Sequence, residues 1–511
     1  MNVTNHEPSI WETTSHATRA YAPLKGDIET DVCVVGAGIT GLTTALLLKQ
    51  AGRRVTLVEK DRIGAGTSGG TSAHLTSLVD FDYQQLIQSY GVENARRVAR
   101  SLMSAIDLIE ELQTGLGIDC AFKRIPGYYY TETPADVASV RDEFEGAERC
   151  GVPVRLLDKA PLPFSTASAF LVQDQAQFQP MDYLQGLARA LEGGGCSLHE
   201  QTPVTDVSDG SPCELRTPQG VIRAQTVVLA THTPLGMNIL QSKLNSYRSF
   251  VLAARVKDLP EEALFWDTAE PYHYIRTYRQ GNQAMVIVGG KDHKVGHGNS
   301  DDSFRALEAY TRTHFEVETI EARWSAQFYD PTDHLPMIGK NPLGRHVYVA
   351  TGFSGDGLTF GTLAGRMIAD QIVTGSSDYE DLYNPSRVGL AGAGEFIKKN
   401  FHVTQQFVMD RVTTPTAKKI AQLQKEEGCV VRDGTSYLAA YRDVTGDLRT
   451  YSAICPHMKC VLHWNQGEKS WDCPCHGSRF DVAGNQVDGP ATGGLEPIQW
   501  KETQRQPEDV T

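Results

Sequence analysis

Asp31-Val32-Cys33-Val34-Val35-Gly36-Ala37-Gly38-Ile39-Thr40-Gly41 opens the first large block of the chain. Residues 32–35 are an apolar run suited to a parallel strand buried on both faces. Gly36-x-Gly38-x-x-Gly41 follows, then Leu42, Ala45 and Leu46 at helical spacing. In such a turn Gly36 permits the tight bend, Gly38 lets the backbone approach a pyrophosphate, and Gly41 lets helix and strand pack closely. The helix N-terminus then turns free N–H groups toward the phosphates. A second strand, residues 55–58, ends in Glu59, a carboxylate placed to accept hydrogen bonds from a ribose hydroxyl. The glycine pattern alone fits a plain structural turn as well. Strand, loop, helix, strand and acid in that order make a dinucleotide site the expectation.

The far end of the block repeats this grammar, with a strand, a Gly355-Asp356-Gly357 loop and a helix over residues 347–372. Between lie helical stretches such as residues 95–112 and strands such as residues 285–288. The expected domains are an N-terminal arm (1–29), a dinucleotide domain with an inserted substrate domain (30–378), a connecting arm (379–412) with a polar helical stretch near 395–400, and a small all-β domain (413–511). The last rests on short β-type runs at 429–431, 438–441 and 450–453, separated by turn pairs such as Asp433-Gly434. A formal net charge of −14 disfavours nucleic acid and anionic lipid as partners. No charged start leads into an apolar run, so neither signal peptide nor membrane span is expected, and the expected location is the cytoplasm.

NAD and FAD share the glycine fingerprint. Arg62-Ile63-Gly64-Ala65-Gly66-Thr67-Ser68 resembles the loop after the second strand in the D-amino-acid oxidase-like flavoenzymes, which include glycine and sarcosine oxidases. Val227-Val228-Leu229-Ala230-Thr231 is similar to the family's strand that ends near the flavin. Asp333-His334-Leu335-Pro336-Met337-Ile338-Gly339 is similar to its late DxxPxIG element, and residues 347–357 to its final strand and loop. The resemblance spans about residues 30–378 and implies noncovalent FAD. It implies contacts from Gly36, Gly38, Gly41, Glu59, Arg62, Gly66, Thr67, Ser68, Val204, Gly355, Gly357 and Leu358. A helix opening at Gly357 would aim its positive end at the flavin, where reduction places negative charge. His74 lies in a neighbourhood where some relatives attach FAD covalently, but does not align cleanly with the linking histidine, so a surface or packing role is expected.

Four of the ten cysteines crowd into two short segments, Cys455-Pro456-His457-Met458-Lys459-Cys460 and Cys473-Pro474-Cys475-His476-Gly477-Ser478. Cys-x-His and Cys-x-x-His pairs suit structural zinc or an iron–sulfur centre. Over about residues 413–502 the chain resembles Rieske domains. The resemblance implies a [2Fe–2S] cluster held by Cys455 and Cys473 on one iron and by His457 and His476 on the other. It implies a Cys460–Cys475 disulfide joining the loops, and Gly489-Pro490-Ala491 as a covering loop. Ser478 matches a serine that donates to a bridging sulfur. Phe480 stands where high-potential relatives carry a tyrosine, and Met458-Lys459 departs from the usual apolar-Gly pair, so a more exposed first loop is expected. The expected fold class is an α/β FAD-binding Rossmann-type domain with an inserted α+β substrate domain, followed by a small all-β Rieske domain.

The substrate end is less explicit. Tyr272-His273-Tyr274-Ile275-Arg276 would alternate on a strand, placing Tyr272, Tyr274 and Arg276 on one face. Tyr274 and Arg276 are the candidate substrate residues, with Arg276 pairing a carboxylate or, at least as readily, solvated or held in an ion pair elsewhere. No nucleophile constellation stands out, as expected where a flavin does the chemistry. The leading expectation is a dehydrogenase that takes electrons from a small amine or amino-acid-like substrate and exports them through the cluster to an external acceptor, a protein or a quinone-like molecule. Two alternatives remain at this point. A reductase feeding an oxygenase would need a nicotinamide site, and Gly193-Gly194-Gly195 follows a helix rather than a strand. A non-enzymatic redox sensor would need an effector module.

Overall fold

Residues 32–35 are buried, as an apolar strand between two layers must be. In the computed structural model, which describes residues 7–16, 19–280, 283–387, 411 and 414–500, they belong to strand Ile28–Val35 of an eight-stranded sheet. Its order is Met337–Lys340, Val347–Thr351, Gly220–Leu229, Ile28–Val35, Val55–Val58, Ser197–His199, with Cys213–Thr217 also paired to Gly220–Leu229 and Asp206–Ser208 paired to Cys213–Thr217. From Val347–Thr351 to Ser197–His199 the neighbours are parallel. Val34 pairs with both Leu57 and Val228. That register brings the chain segments after the three strands, with Gly36, Glu59 and Ala230, to one edge of the sheet, where ligands of open α/β folds bind.

Helix Ile39–Gln50 is apolar on nearly every side, because helices Pro180–Leu191 and Gly357–Thr374 both cover it. The crossing with Gly357–Thr374 is close. A Cβ on Gly361 would lie 2.8 Å from Ile39 Cγ2, and one on Gly365 2.8 Å from Thr43 Cβ. The two ends of the flavin-like block, far apart in sequence, are thereby bolted together through a pair of glycines.

A nine-stranded sheet forms the second layer, in the order Val317–Pro331, Leu244–Val256, Gln283–Lys294, His273–Gln280, Leu264–Asp267, Lys123–Thr131, Ser168–Gln177, His74–Leu75, with Val154–Leu157 also paired to Ser168–Gln177. The helical stretch expected at 95–112 lies within Tyr83–Leu116, which bends where Gly91 takes φ 78°. The N-terminal arm contains a short helix, Ile10–Thr14, started by a Ser9–Glu12 capping box. It is anchored by fully buried Trp11, whose Nε1 donates to Thr71 O at 2.6 Å.

The C-terminal domain is all-β, with a three-stranded sheet (Glu427–Asp433, Ser436–Arg442, Leu448–Ser452) and a four-stranded one (His463–Asn465, Ser470–Asp472, Arg479–Phe480, Gln486–Asp488). The polar helical stretch expected near 395–400 lies outside the described residues. Among the described residues no helix is long and apolar enough to cross a membrane.

Candidate flavin and cluster sites

The glycine loop has the geometry its sequence requires. Gly36 sits at φ 105°, and a Cβ there would lie 2.4 Å from Ala230 O. A Cβ on Gly41 would lie 1.9 Å from Gly36 O, so only glycine lets this helix start so close to its strand. Gly38 precedes the first helical turn, and Ile39 N donates to Ser68 Oγ at 3.1 Å. Glu59 accepts from Ala37 N at 2.8 Å and Asp61 N at 2.9 Å, while burial raises its carboxyl above the ordinary value. Arg62 and Gly66 are exposed beside it. Thr67 Oγ1 donates to Gln327 O at 3.2 Å and lies 3.3 Å from His232 Nδ1. Val204 is buried in a core shared with Val35 and Val58. These groups surround a cradle with N–H donors and a carboxylate, the donor set that a dinucleotide takes.

At the other end, helix Gly357–Thr374 begins after Asp356, with Leu358 buried. Gly355 N donates to Asp80 Oδ2, and Asp80 N donates to Asp356 Oδ2 at 3.2 Å. Tyr272 OH donates to Asp80 Oδ1 at 3.2 Å. Asp80 is exposed, yet the groups packed around it desolvate its carboxyl enough to raise it, against the hydrogen bonds from Gly355 and Tyr272. Asp292 and Asp330 join it electrostatically. Burial, then the repulsion of Asp80, pushes both up to about 7, with Lys294 offsetting part of this at Asp330. Asp356 is raised further, by burial and by Asp80. Asp80, Asp292 and Asp330 carried no local signal: they come from three separate segments, and only the fold gathers them beside the Gly355 loop.

Tyr274 belongs to this wall, its hydroxyl 2.9 Å from Ser249 Oγ and its ring 6.0 Å from that of Tyr272. Arg276 does not serve as the expected carboxylate partner. Its Nη1 donates to the carbonyls of Ala73 (2.6 Å), Ser72 (3.3 Å) and Phe178 (3.5 Å), and its guanidinium lies 4.9 Å from the Trp11 ring centre. With the side chain 2% exposed and its donors directed at main chain, Arg276 ties the N-terminal helix and the 72–73 segment to the sheet. His74 is a packing residue, with Nδ1 3.0 Å from Ser72 Oγ and Nε2 3.3 Å from Ile275 O. Burial, reinforced by Arg276, lowers it to about 3, so it is neutral. Gly193, Gly194 and Gly195 all take positive φ in the link from helix Pro180–Leu191 to strand Ser197–His199, which is not a phosphate loop.

In the C-terminal domain the two cysteine–histidine loops face each other. The thiols of Cys455 and Cys473 are in hydrogen-bond contact, which lowers Cys455 to about 7 and raises Cys473. The rings of His457 and His476 lie 5.1 Å apart, and all four side chains are at most 9% exposed. Nδ1 of His457 is buried without a hydrogen-bond partner, while its Nε2 meets Gln241 Oε1 at 2.8 Å. A buried imidazole nitrogen left unbonded among thiols is costly unless something binds it, and two thiolates with two imidazoles form the donor set of a Rieske centre. Cys460 and Cys475 form a disulfide between the loops. Ser478 Oγ contacts Cys455 and accepts from Ala491 N at 3.2 Å, and Phe480 is fully buried in the same core. Met458 is 48% exposed, in keeping with the expected openness of the first loop.

Comparison with known proteins agrees with both halves. Residues 31–371 match the FAD dependent oxidoreductase family, and residues 414–499 match the Rieske [2Fe-2S] domain. The Rieske 2Fe-2S iron-sulfur protein YhfW of Bacillus subtilis is 30% identical over 96% of this chain and 97% of its own length. The gamma-glutamylputrescine oxidoreductase of Escherichia coli is 27% identical over 75% of this chain and 92% of its own. Among solved structures, glycine oxidase from Geobacillus kaustophilus superposes with a TM-score of 0.59 at 20% identity, covering 70% of this chain and 99% of that one.

Proposed function

The chain belongs to the FAD dependent oxidoreductase family and ends in a Rieske domain, so it is an oxidoreductase with FAD and [2Fe–2S] as cofactors, and on that premise we propose a dehydrogenase for small cationic amines that exports electrons through the cluster. Bound FAD supplies a two-electron acceptor and the cluster a one-electron carrier. Gly36, Gly38, Gly41 and Glu59 would hold the pyrophosphate and adenosine ribose of FAD. Arg62, Gly66, Thr67, Ser68, Val204, Gly355, Gly357 and Leu358 would line the rest. Cys455, His457, Cys473 and His476 would hold the cluster.

The observation that carries the substrate class is the carboxylate wall of Asp80, Asp292, Asp330 and Asp356 beside the Gly355 loop. Crowded carboxyls whose ionisation is resisted by burial and mutual repulsion gain most from a cation placed among them. Arg276, the residue that would have suited an α-carboxylate, is occupied by main-chain carbonyls. Tyr272 and Tyr274 supply the aromatic side of the pocket, where a protonated amine also gains from ring faces. Two matched relatives carry amine substrates in their names, one a γ-glutamylated diamine and one glycine. The carboxylate wall favours the diamine-like class. The fusion supports electron export, since a flavin oxidase that hands electrons to oxygen needs no cluster.

The test is an anaerobic panel on the holoprotein: diamines and their mono-acyl forms, neutral α-amino acids, NADH and NADPH. Amines with a cationic group beyond the reacting nitrogen should bleach the flavin, after which the reduced-cluster EPR signal should rise. Fast bleaching by NADPH, with none by amines, would replace this reading by a reductase.

A further inference from the structure

The Rieske domain is seated on the flavin domain through a buried charge. Glu468 Oε1 meets Arg248 Nη2 and Ser325 Oγ, and its Oε2 meets Ser300 Oγ at 3.0 Å, Asn465 Nδ2 at 3.1 Å and Arg479 Nη2 at 3.2 Å. Arg248, Ser325 and Ser300 come from strands Leu244–Val256 and Val317–Pro331 and helix Ser300–His314, so three elements of one domain converge on a single carboxylate of the other. The side chains of Arg248, Glu468 and Arg479 are 5%, 12% and 6% exposed. Parting the domains would break every one of these charge-assisted contacts at once, and each lost charge would have to find water in its place. The seat is also tight. A Cβ on Gly477 would lie 2.6 Å from Ser246 Cβ and 2.7 Å from Gln327 Nε2, and one on Gly467 2.7 Å from Asp301 N.

One residue spans the gap between the two candidate sites. The main-chain carbonyl of Gln327 accepts from Thr67, in the Arg62–Ser68 loop, at 3.2 Å. Its side-chain Nε2 donates to Gly477 O, next to His476, at 2.8 Å, and to Tyr329 OH at 2.8 Å. Tyr329 is 2% exposed and its ring lies 4.7 Å from that of His232, which in turn touches Thr67.

Resting on the FAD and cluster assignments above, we propose that the Glu468 seat fixes the Rieske domain permanently and that Gln327 is the positioning residue of an internal electron junction, so that flavin-to-cluster transfer needs no domain movement. Each crossing moves one electron from reduced flavin to the cluster and takes one ferric iron to ferrous. Two crossings, with a one-electron acceptor reoxidising the cluster after each, discharge the flavin, whose protons leave to solvent.

The experiment uses full-length holoprotein. The flavin is reduced by a light pulse with a photoreductant, and cluster reduction is followed by visible absorbance and freeze-quench EPR. In the wild type the transfer rate should be independent of protein concentration and of added viscogen. Gln327→Met, which keeps the volume but loses the amide, should slow it about tenfold, equivalent to about 1.4 kcal/mol on the barrier. Glu468→Ala should make it viscosity-dependent, because the seat then opens. Flavin content and the cluster EPR signal are measured on every variant. Absence of either signal in the wild type would overturn the cofactor assignments rather than the junction. A wild-type rate that falls with viscosity or scales with protein concentration would overturn the junction, as would Gln327→Met transferring at the wild-type rate. If Glu468→Ala does not fold, the viscosity series and Gln327→Met still decide.

Discussion

Ser478 and Phe480 both lie in the core around the cluster loops without solvent contact, yet only Ser478 carries a hydroxyl. A donor aimed at sulfur favours the reduced, more negative state and so raises the potential. Ser478 reaches the Cys455 sulfur, while the Phe480 ring offers packing alone. Neighbouring charges largely cancel: Arg479 is paired with Asp472 at 3.0 Å and with Glu468 at 3.2 Å. The hydrogen-bond count therefore sets the expectation, a potential in the middle of the roughly −150 to +300 mV Rieske range. Phe480→Tyr should raise it and Ser478→Ala should lower it in an EPR-monitored redox titration of the full-length protein. A wild-type value at the top of the range, or no upward shift in Phe480→Tyr, would count against the argument.

At the scale of elements, the flavin cradle depends on two helices crossing at Gly361 and Gly365. A valine at 365 would have to push Thr43 away, and with it the turn after Gly41. Overpacking of this kind costs about 1–3 kcal/mol. Gly365→Val should lower the melting temperature and weaken FAD retention together. A variant that melts earlier with undiminished FAD affinity would show that the crossing supports stability only. These elements were largely legible in the sequence, because each is specified locally: apolar residues 32–35, glycines at fixed spacing, and a left-handed Gly36 against Ala230. The two ligand loops were legible for the same reason, four Cys and His side chains in two short segments. Arg276 was not, since alternation gives a strand face but not what lies above it, here the carbonyls of residues 72, 73 and 178. The carboxylate wall and Gln327 were also silent, because their partners come from distant segments joined only by strand register. Trp11 was hidden in an arm whose short helix has too few residues for a periodic pattern.

Across the whole molecule, two sets of buried acids make opposite demands on pH. Burial alone would raise Glu468, but Arg248 and Arg479 outweigh it and hold the carboxyl well below its ordinary 4.5. A depressed acid contributes stability above its unfolded value, and that contribution is lost as pH falls below it. Asp292 and Asp330 are pushed up to about 7, chiefly by burial, from an ordinary 3.8. Their contribution has the reverse sign: it is present below the ordinary value and lost as pH rises toward 7. At neutral pH, then, the seat between domains is at full strength while the contribution of Asp292 and Asp330 has largely been lost, so a cation placed beside them would restore stability there. Because the domains share Glu468, they should unfold together, in one calorimetric transition near neutral pH. Glu468→Gln preserves shape but leaves Arg248 buried without its anion, a loss of about 3–5 kcal/mol. The variant should show two separated transitions at neutral pH, and the wild type should drift toward the same profile as the pH is lowered below about 4.5. A single, unshifted transition in Glu468→Gln would mean that the contact holds the domains no more firmly than a surface ion pair, worth about 0–1 kcal/mol.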